Sequence, residues 1–363
     1  MRISRLRTQI VEFPYDPVIE LSAGVMLRTG SCVLTYLESD QGEIGEGLAY
    51  VFNGDRVKLY DEMIVSLAPL VEGQDPMHSG AIFTRLWNGI RTLGQSGFAV
   101  NAVAAVDMAL WDLRAKLAGV NVASLIGRCH ATLPVYDSGD YWVTLSRDQL
   151  QRNAEASMKR GFRAFKLRIS GRLADDVART RALRGAIGPN ARLLVDLNQR
   201  SNVADAIRLG RALEEFNLTW FEEPLPHHDH RGEAEVAAAL DTPVASGESV
   251  YTSRGILAML QARACDIVMP DLQHMGGPTE WVRASHYAAA HDVACSNHCY
   301  TEMSAALLAA TPHASWLEYM HWLRPIYREP IELDANGHAV LPTRPGWGFS
   351  FDPDAVKRFS APR

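Results

Sequence analysis

From about residue 132 onward the chain repeats one pattern: a short β-rich run, then a longer helical stretch. Eight such runs occur, at 133–136, 164–169, 192–196, 219–222, 244–247, 266–270, 293–296 and 315–318. Seven helical stretches, such as 203–216 and 278–291, separate them. Strands joined through helices pair in parallel. Eight of them with seven helices between predict an α/β fold, a modified TIM (β/α)7β-type barrel. In such a barrel, chemistry gathers where strands end and the following loops begin.

The first third reads differently. Residues 31–38 are β-rich, Asp40, Gln41 and Gly42 make a turn, and 44–48 return as a second strand. Gly45-Glu46-Gly47 is not a dinucleotide fingerprint, because no third glycine opens a helix after it. From Asp55 to Leu117 the period becomes helical, with an Ala-rich stretch at 101–113 and a stop at Gly119. This is an α+β unit. A Pro- and Gly-rich tail at 342–353 follows the last strand and is expected to pack back on it. The expected division is 1–125, 126–325 and 326–363.

A net charge of −6 without a Lys/Arg block gives no footprint for nucleic acid. With 47% hydrophobic residues the chain is too apolar for a disordered protein. No apolar run reaches the roughly 18–20 residues of a membrane helix. Residues 1–7 alternate as a strand rather than forming a signal peptide. Five scattered cysteines (Cys32, Cys129, Cys265, Cys295, Cys299) suit reduced thiols in a cytoplasmic enzyme, and no second pair accompanies Cys295 and Cys299 to make a zinc site. His227, His228 and His230 read as a solvated loop.

The strand ends carry the chemistry. Asp196, Glu222 and Glu248 recur at an interval of 26 residues, one βα unit per step. Three carboxylates converging on one rim are costly unless a cation neutralises them. Oxygen ligands without Cys or His favour Mg²⁺. Lys166 and Arg168 share one face of the second strand. Two cations on the helix-covered outside would be costly, so both are expected to point inward. Asp271 and His298 end adjacent strands and can form a carboxylate–imidazole pair. Glu318 ends the eighth strand.

These residues, with Asp107-Met108-Ala109-Leu110-Trp111-Asp112, Tyr136-Asp137-Ser138, Trp220-Phe221-Glu222-Glu223-Pro224 and Met269-Pro270-Asp271, resemble the enolase superfamily, and most closely the mandelate racemase family. The resemblance spans nearly the whole chain. It implies an α+β N-terminal capping domain, Mg²⁺ on Asp196, Glu222 and Glu248, a base in His298 oriented by Asp271, and Glu318 as a protonated acid facing the substrate carboxylate. It also implies substrate contacts from Asn198, Ser138, Tyr50 and Val18, and a symmetric homo-oligomer such as an octamer. Segments 17–21 and 50–52 are similar to the short apolar specificity loops of mandelate racemase. Tyr141 and Trp142 suggest an aromatic wall.

One position departs from the family. Lys166-Leu167-Arg168 stands where the family usually carries Lys-x-Lys, whose second lysine is a base. Arginine almost never gives up its proton, so proton transfer on two faces of a substrate is disfavoured. The expected reaction is removal of the α-proton of a 2-hydroxy carboxylate through an enediolate, as in an acid-sugar dehydratase. A racemase or epimerase of a 2-hydroxy acid is the alternative, and a catalytically silent metal-binding relative the second. The expected partner is a small carboxylate, with neither nucleic acid nor membrane.

Overall fold

The computed structural model describes residues 1–20 and 26–362. Three antiparallel strands open it: β1 (Ile3–Glu20), β2 (Met26–Ser39) and β3 (Ile44–Phe52), in the order β1-β2-β3. They run longer than the β-rich runs of the sequence. The β1–β2 ladder continues beyond Pro14 by shifting register between Pro14 and Ile19, which accommodates a residue with no N–H to donate. Tyr50, Val51 and Phe52, likened to a specificity loop, belong to the end of β3.

Helices α1 (Val57–Ser66), α2 (Ala68–Val71), α3 (Ser79–Gly89), α4 (Gly97–Leu117) and α5 (Val122–Ile126) follow. The Ala-rich α4 is buried around most of its circumference, so its small residues are needed on every side. β3 lies against α4 through Gly45 and Gly47. A methyl group at either would collide with a carbonyl of the helix backbone, of Ala109 and Ala105 respectively.

The eight runs are strands, and each pair of neighbours that ladders is parallel. The order is β4 (Thr132–Asp137), α6 (Arg147–Lys159), β5 (Ala164–Arg168), α7 (Leu173–Ile187), β6 (Arg192–Asp196), α8 (Val203–Leu213), β7 (Trp220–Glu222) and α9 (His230–Ala239). It continues with β8 (Val244–Ser246), α10 (Thr252–Gln261), β9 (Ile267–Val268), α11 (Pro278–Ala290), β10 (Ala294–Cys295), α12 (Thr301–Ala309) and β11 (Leu317–Tyr319). β11 returns to pair with β4, and a bridge between Cys295 and Ala314 closes the remaining seam. The fold is therefore a modified TIM (β/α)7β-type barrel with an α+β N-terminal domain. β9 is shorter than its run because Pro270 cannot extend the ladder.

Alternation along the strands sorts the barrel side chains. Phe165, Leu167, Leu193, Val195 and Phe221 face the helices in the main core. Ala164, Leu194, Trp220, Ala245 and Ile267 pack with Tyr136 and Met269 inside the barrel. Two residues further along, the same inward face carries Lys166, Asp196 and Glu222.

The tail does two things. The hairpin β12 (Glu332–Leu333) and β13 (His338–Val340) adds to β4 on the barrel. The chain then returns to the N-terminal unit, where Trp347 N donates to Asp112 Oδ1 at 2.8 Å. After α13 (Pro353–Arg358), Ala361 N donates to Ile10 O at 3.0 Å. α4 meets the barrel at Asp107, whose carboxylate accepts from Thr279 N (2.8 Å) and Thr279 Oγ1 (2.9 Å) at the start of α11.

Candidate active site

Strand register sets the rim. Arg168 pairs with Asp196 and Asp196 with Glu222, so these three stand side by side on adjacent strands. Lys166, wholly buried, lies among the carboxylates: its Nζ is 2.6 Å from Glu222 Oε1, 2.9 Å from Glu318 Oε1 and 3.6 Å from Asp196 Oδ2. Burial opposes the lysine charge, but Glu222 and Glu318 hold its pKa well above the usual value. Burial lifts Glu222 to about 8 against the pull of Lys166, with Asp196, Glu248 and Glu318 adding to the rise. Burial also raises Glu248, and Asp196 adds to it, while His298 opposes the rise. Trp220 Nε1 fixes the other oxygen of Glu222 at 2.8 Å. Asn198 holds Asp196 through its backbone N–H (2.8 Å) and its side-chain amide (3.1 Å).

Across the rim, Asp271 and His298 are joined by a backbone bridge between their strand ends. His298 Nδ1 is 2.7 Å from Asp271 Oδ2, and the Asp271 Oδ1 accepts from the Gln273 and His274 backbones. His298 Nε2 lies 3.6 Å from Glu248 Oε2 and 3.3 Å from Cys299 Sγ. Burial would lower the imidazole pKa, but Cys299, Glu248 and Asp271 raise it well above the ordinary value. Cys299 carries no role in the sequence reading, though its place beside His298 is the signal that could have singled it out.

Glu318 corrects one expectation. Burial would raise its pKa, yet Lys166, His298 and Arg168 pull it down to about 2. That direction favours the carboxylate form over the protonated acid expected. Its Oε1 accepts from Ser138 Oγ at 2.7 Å and its Oε2 from Cys299 N at 2.6 Å.

Arg168 is pinned. Its guanidinium donates to Ser138 O (2.6 Å) and Ser138 Oγ (3.1 Å), sits over the Trp142 ring at 3.9 Å, and has Nε 3.8 Å from Asp196. Ser138 is wholly buried and acts through these contacts.

A cavity of about 500 Å³ opens above the rim. Arg168, Asp196, Asn198, Glu248, Asp271 and His298 line it, with Lys166, Glu222 and Glu318 buried beneath. Tyr50, Val51 and Phe52 reach it from β3. Of the expected aromatic wall, Trp142 lines the cavity, whereas Tyr141 is buried against Phe165. Trp322, which sequence reading missed, stacks on Trp142 at 5.7 Å and on Tyr50 at 6.0 Å. Val18 is exposed on β1 and is not among the cavity-lining residues described; part of segment 17–21 lies outside the described residues. His227 is exposed beside Gln199, 3.1 Å from its Oε1. Among the described residues the metal-ligating types whose ligand atoms lie within 4.8 Å of one another are His298, Cys299 and Glu318. No helix is long and apolar enough to cross a membrane among the described residues.

The chain was compared with known proteins. It is 34% identical over 325 residues to L-talarate/galactarate dehydratase of Salmonella typhimurium, covering 89% of this chain and 81% of that one. It is 31% identical to D-galactarolactone cycloisomerase of Agrobacterium fabrum over the full length of both. The crystal structure of the Salmonella dehydratase with Mg and L-lyxarohydroxamate superposes with a TM-score of 0.94 at 31% identity, covering 99% of this chain and 93% of that one. Residues 7–127 match the mandelate racemase / muconate lactonizing enzyme N-terminal domain, and residues 149–355 the enolase C-terminal domain-like model. The chain belongs to the mandelate racemase / muconate lactonizing enzyme family of the enolase superfamily.

Proposed function

We propose that the protein is a Mg²⁺-dependent hydro-lyase that dehydrates an acid sugar. The observation that carries this is the asymmetry of the cavity: an imidazole held by a carboxylate at one side, and a guanidinium locked onto Ser138 and Trp142 at the other. One base suffices for dehydration, whereas racemisation needs a proton donor on the opposite face. Similarity to acid-sugar dehydratases supports the same reaction class.

The donor set suits a hard divalent cation. Glu222 and Glu248 are raised by burial and by the charges of Asp196 and Glu318 even with Lys166 among them, so the rim carries more negative charge than its cation offsets. Asp196, Glu222 and Glu248 are the proposed ligands. Mg²⁺ bound there supplies positive charge against the dianion that develops when a carboxylate loses its α-proton. Lys166 adds a fixed cation beneath the same position. His298 takes the proton at Nε2, with Asp271 holding Nδ1–H. The imidazolium then returns that proton to the departing β-hydroxyl. Glu248 is one of the anions that raise the imidazole, so neutralising Glu248 lowers its pKa and favours the unprotonated form that can accept a proton. Asn198 positions Asp196, Ser138 positions Glu318 and Arg168, and Tyr50 bounds the substrate.

The test is α-proton exchange in D₂O with a panel of acid sugars and 2-hydroxy acids, followed by NMR. Exchange of one configuration with formation of a 2-keto-3-deoxy acid is expected. Loss of optical activity without a keto product favours the racemase, and no exchange with any acid favours the silent relative. A cytoplasmic enzyme with reduced cysteines and a symmetric homo-oligomer such as an octamer complete the proposal. Light scattering checks the assembly.

A further inference from the structure

The dyad, the carboxylates and Arg168 account for the floor of the cavity. Tyr60, Asn101 and Arg200 also line it, and so does a thiol, Cys299. Cys32, Cys265 and Cys295 are buried away from it, and Cys129 is exposed elsewhere. Proton abstraction as proposed uses His298 Nε2 and gives Cys299 no task. Cys299 and Tyr300 both take the left-handed backbone conformation, with φ of 48° and 49°, in the turn between β10 and α12. In that turn Cys299 N donates to Glu318 Oε2 at 2.6 Å, and Cys299 Sγ stands 3.3 Å from His298 Nε2.

One ligand atom from each of His298, Cys299 and Glu318 lies within 4.8 Å of the other two. Nitrogen and sulfur ligands of a tetrahedral Zn²⁺, at about 2.0–2.3 Å from the metal, stand about 3.5 Å apart. The imidazole and the thiol are already near that spacing, and Glu318 supplies the third corner. A nitrogen, a sulfur and an oxygen suit a thiophilic divalent ion, whereas Mg²⁺ prefers oxygen alone, as at Asp196, Glu222 and Glu248. Donor type therefore sorts two kinds of cation between two neighbouring positions. Glu248 Oε2, 3.6 Å from His298 Nε2, offers negative charge to both. Burial pushes the Cys299 thiol up to about 11, with His298 opposing the rise. Coordination therefore sends the thiol proton, and any proton on Nε2, to solvent. Three protein ligands leave the fourth tetrahedral position to water from the cavity.

We propose that His298, Cys299 and Glu318 form a second cation site, for zinc or another thiophilic divalent ion, that turns the enzyme off. The ion takes His298 Nε2, the atom that accepts the α-proton. Abstraction stops while Mg²⁺ stays on its own carboxylates. The block rests on the dyad reading above; the site itself rests only on the three side chains.

Cadmium tests the site directly, because a thiolate bound to Cd²⁺ gives an ultraviolet charge-transfer band. Cd²⁺ titrated into the protein in a large excess of Mg²⁺ is expected to raise that band, saturating at one ion per chain. Zn²⁺ is expected to erase it by competition, and further Mg²⁺ to leave it. Cys299→Ser and Cys299→Ala are both expected to lose the band and to weaken Cd²⁺ binding, read by calorimetry, by about a hundredfold. Cys129→Ser is expected to keep both. His298→Gln is expected to keep the band and weaken binding by about tenfold. No band, a band that survives loss of Cys299 or disappears with Cys129, or one that Mg²⁺ abolishes overturns the site. Zn²⁺ is also expected to stop α-proton exchange over the concentrations that erase the cadmium band. A protein that shows the band yet exchanges as fast with zinc bound refutes His298 as the base and leaves the site standing. A protein that exchanges but never shows the band does the reverse.

Discussion

Replacing Asp271 by Asn isolates what the carboxylate does for His298. The geometry predicts how the amide will sit. Asp271 Oδ1 accepts from Gln273 N at 2.8 Å and His274 N at 2.9 Å, and only an oxygen can keep both bonds. The new NH₂ therefore takes the Oδ2 position, 2.7 Å from His298 Nδ1. There it donates to Nδ1, which puts the imidazole proton on Nε2, the atom that must be free to accept one. Loss of a hydrogen bond to a charged group, about 1.5–3 kcal/mol, also lowers the imidazole pKa. A positioned general base contributes about 10²- to 10⁴-fold. The exchange rate of the substrate α-proton, read by NMR in D₂O, is expected to fall by a factor in that range. Thermal stability should change little, because the backbone contacts persist. A variant that keeps more than about a third of the exchange rate, with an unaltered pH profile, would falsify the assignment of His298 and Asp271 as a dyad.

Four further outcomes are expected. Arg168→Lys places a group that can give up its proton opposite His298; exchange of the opposite α-configuration should appear, and its absence in chiral analysis counts against the one-base reading. Chelation by EDTA should abolish exchange and lower the Tm, and excess Mg²⁺ should restore both, with about 2.7 kcal/mol of stabilisation at a hundredfold excess over Kd; metal-independent exchange argues against the carboxylate ligands. Burial raises buried Glu302 to about 7, with Arg324 opposing the rise, so the folded state holds a proton that the unfolded chain has released above about 4.5. Its contribution to stability is thus lost as pH rises from about 4.5 to about 7, by at most about 3 kcal/mol, and Glu302→Gln should flatten that part of a urea-melt pH series. Gly47→Ala should cost about 1–3 kcal/mol in the same assay, as overpacking does, because its methyl meets the Ala105 carbonyl.

The barrel was legible because strands buried on both faces are written as short continuous apolar runs, and a helix must follow each. The rim was legible for the same reason: a charged residue closing such a run, as Asp196 and Glu222 do, is conspicuous. Alternation puts Lys166 and Arg168 on one face, and the cost of two cations on the helix-covered outside points that face inward. The details of contact were not available from that logic. The protonated Glu318 was implied by the resemblance, and sequence gives no hint that Lys166 reaches it. The cap side was nearly silent. Trp322 lies on a short 3₁₀ helix at His321–Ile326, and Tyr60, Asn101 and Arg200 are isolated residues in unrelated segments. No spacing links them until the fold does. Val18 was drawn in by resemblance to a loop, while the chain extends β1 there.

The two glycines of β3 acquire a different meaning once the cavity is known. Beyond Gly47 the same strand supplies Tyr50, Val51 and Phe52 to the cavity, and the helix it touches supplies Asn101. Two missing methyl groups thus set the gauge between an aromatic wall and a polar one. Neither glycine touches a ligand, and both lie far from the barrel rim in sequence. A larger residue at 45 or 47 would push the two walls apart, changing which acids fit while the proposed proton-transfer groups stay where the barrel strands hold them. Part of the cavity wall is thus carried by the N-terminal unit while the barrel strands carry the rim, and this backbone-on-backbone seam fixes where that part of the wall stands.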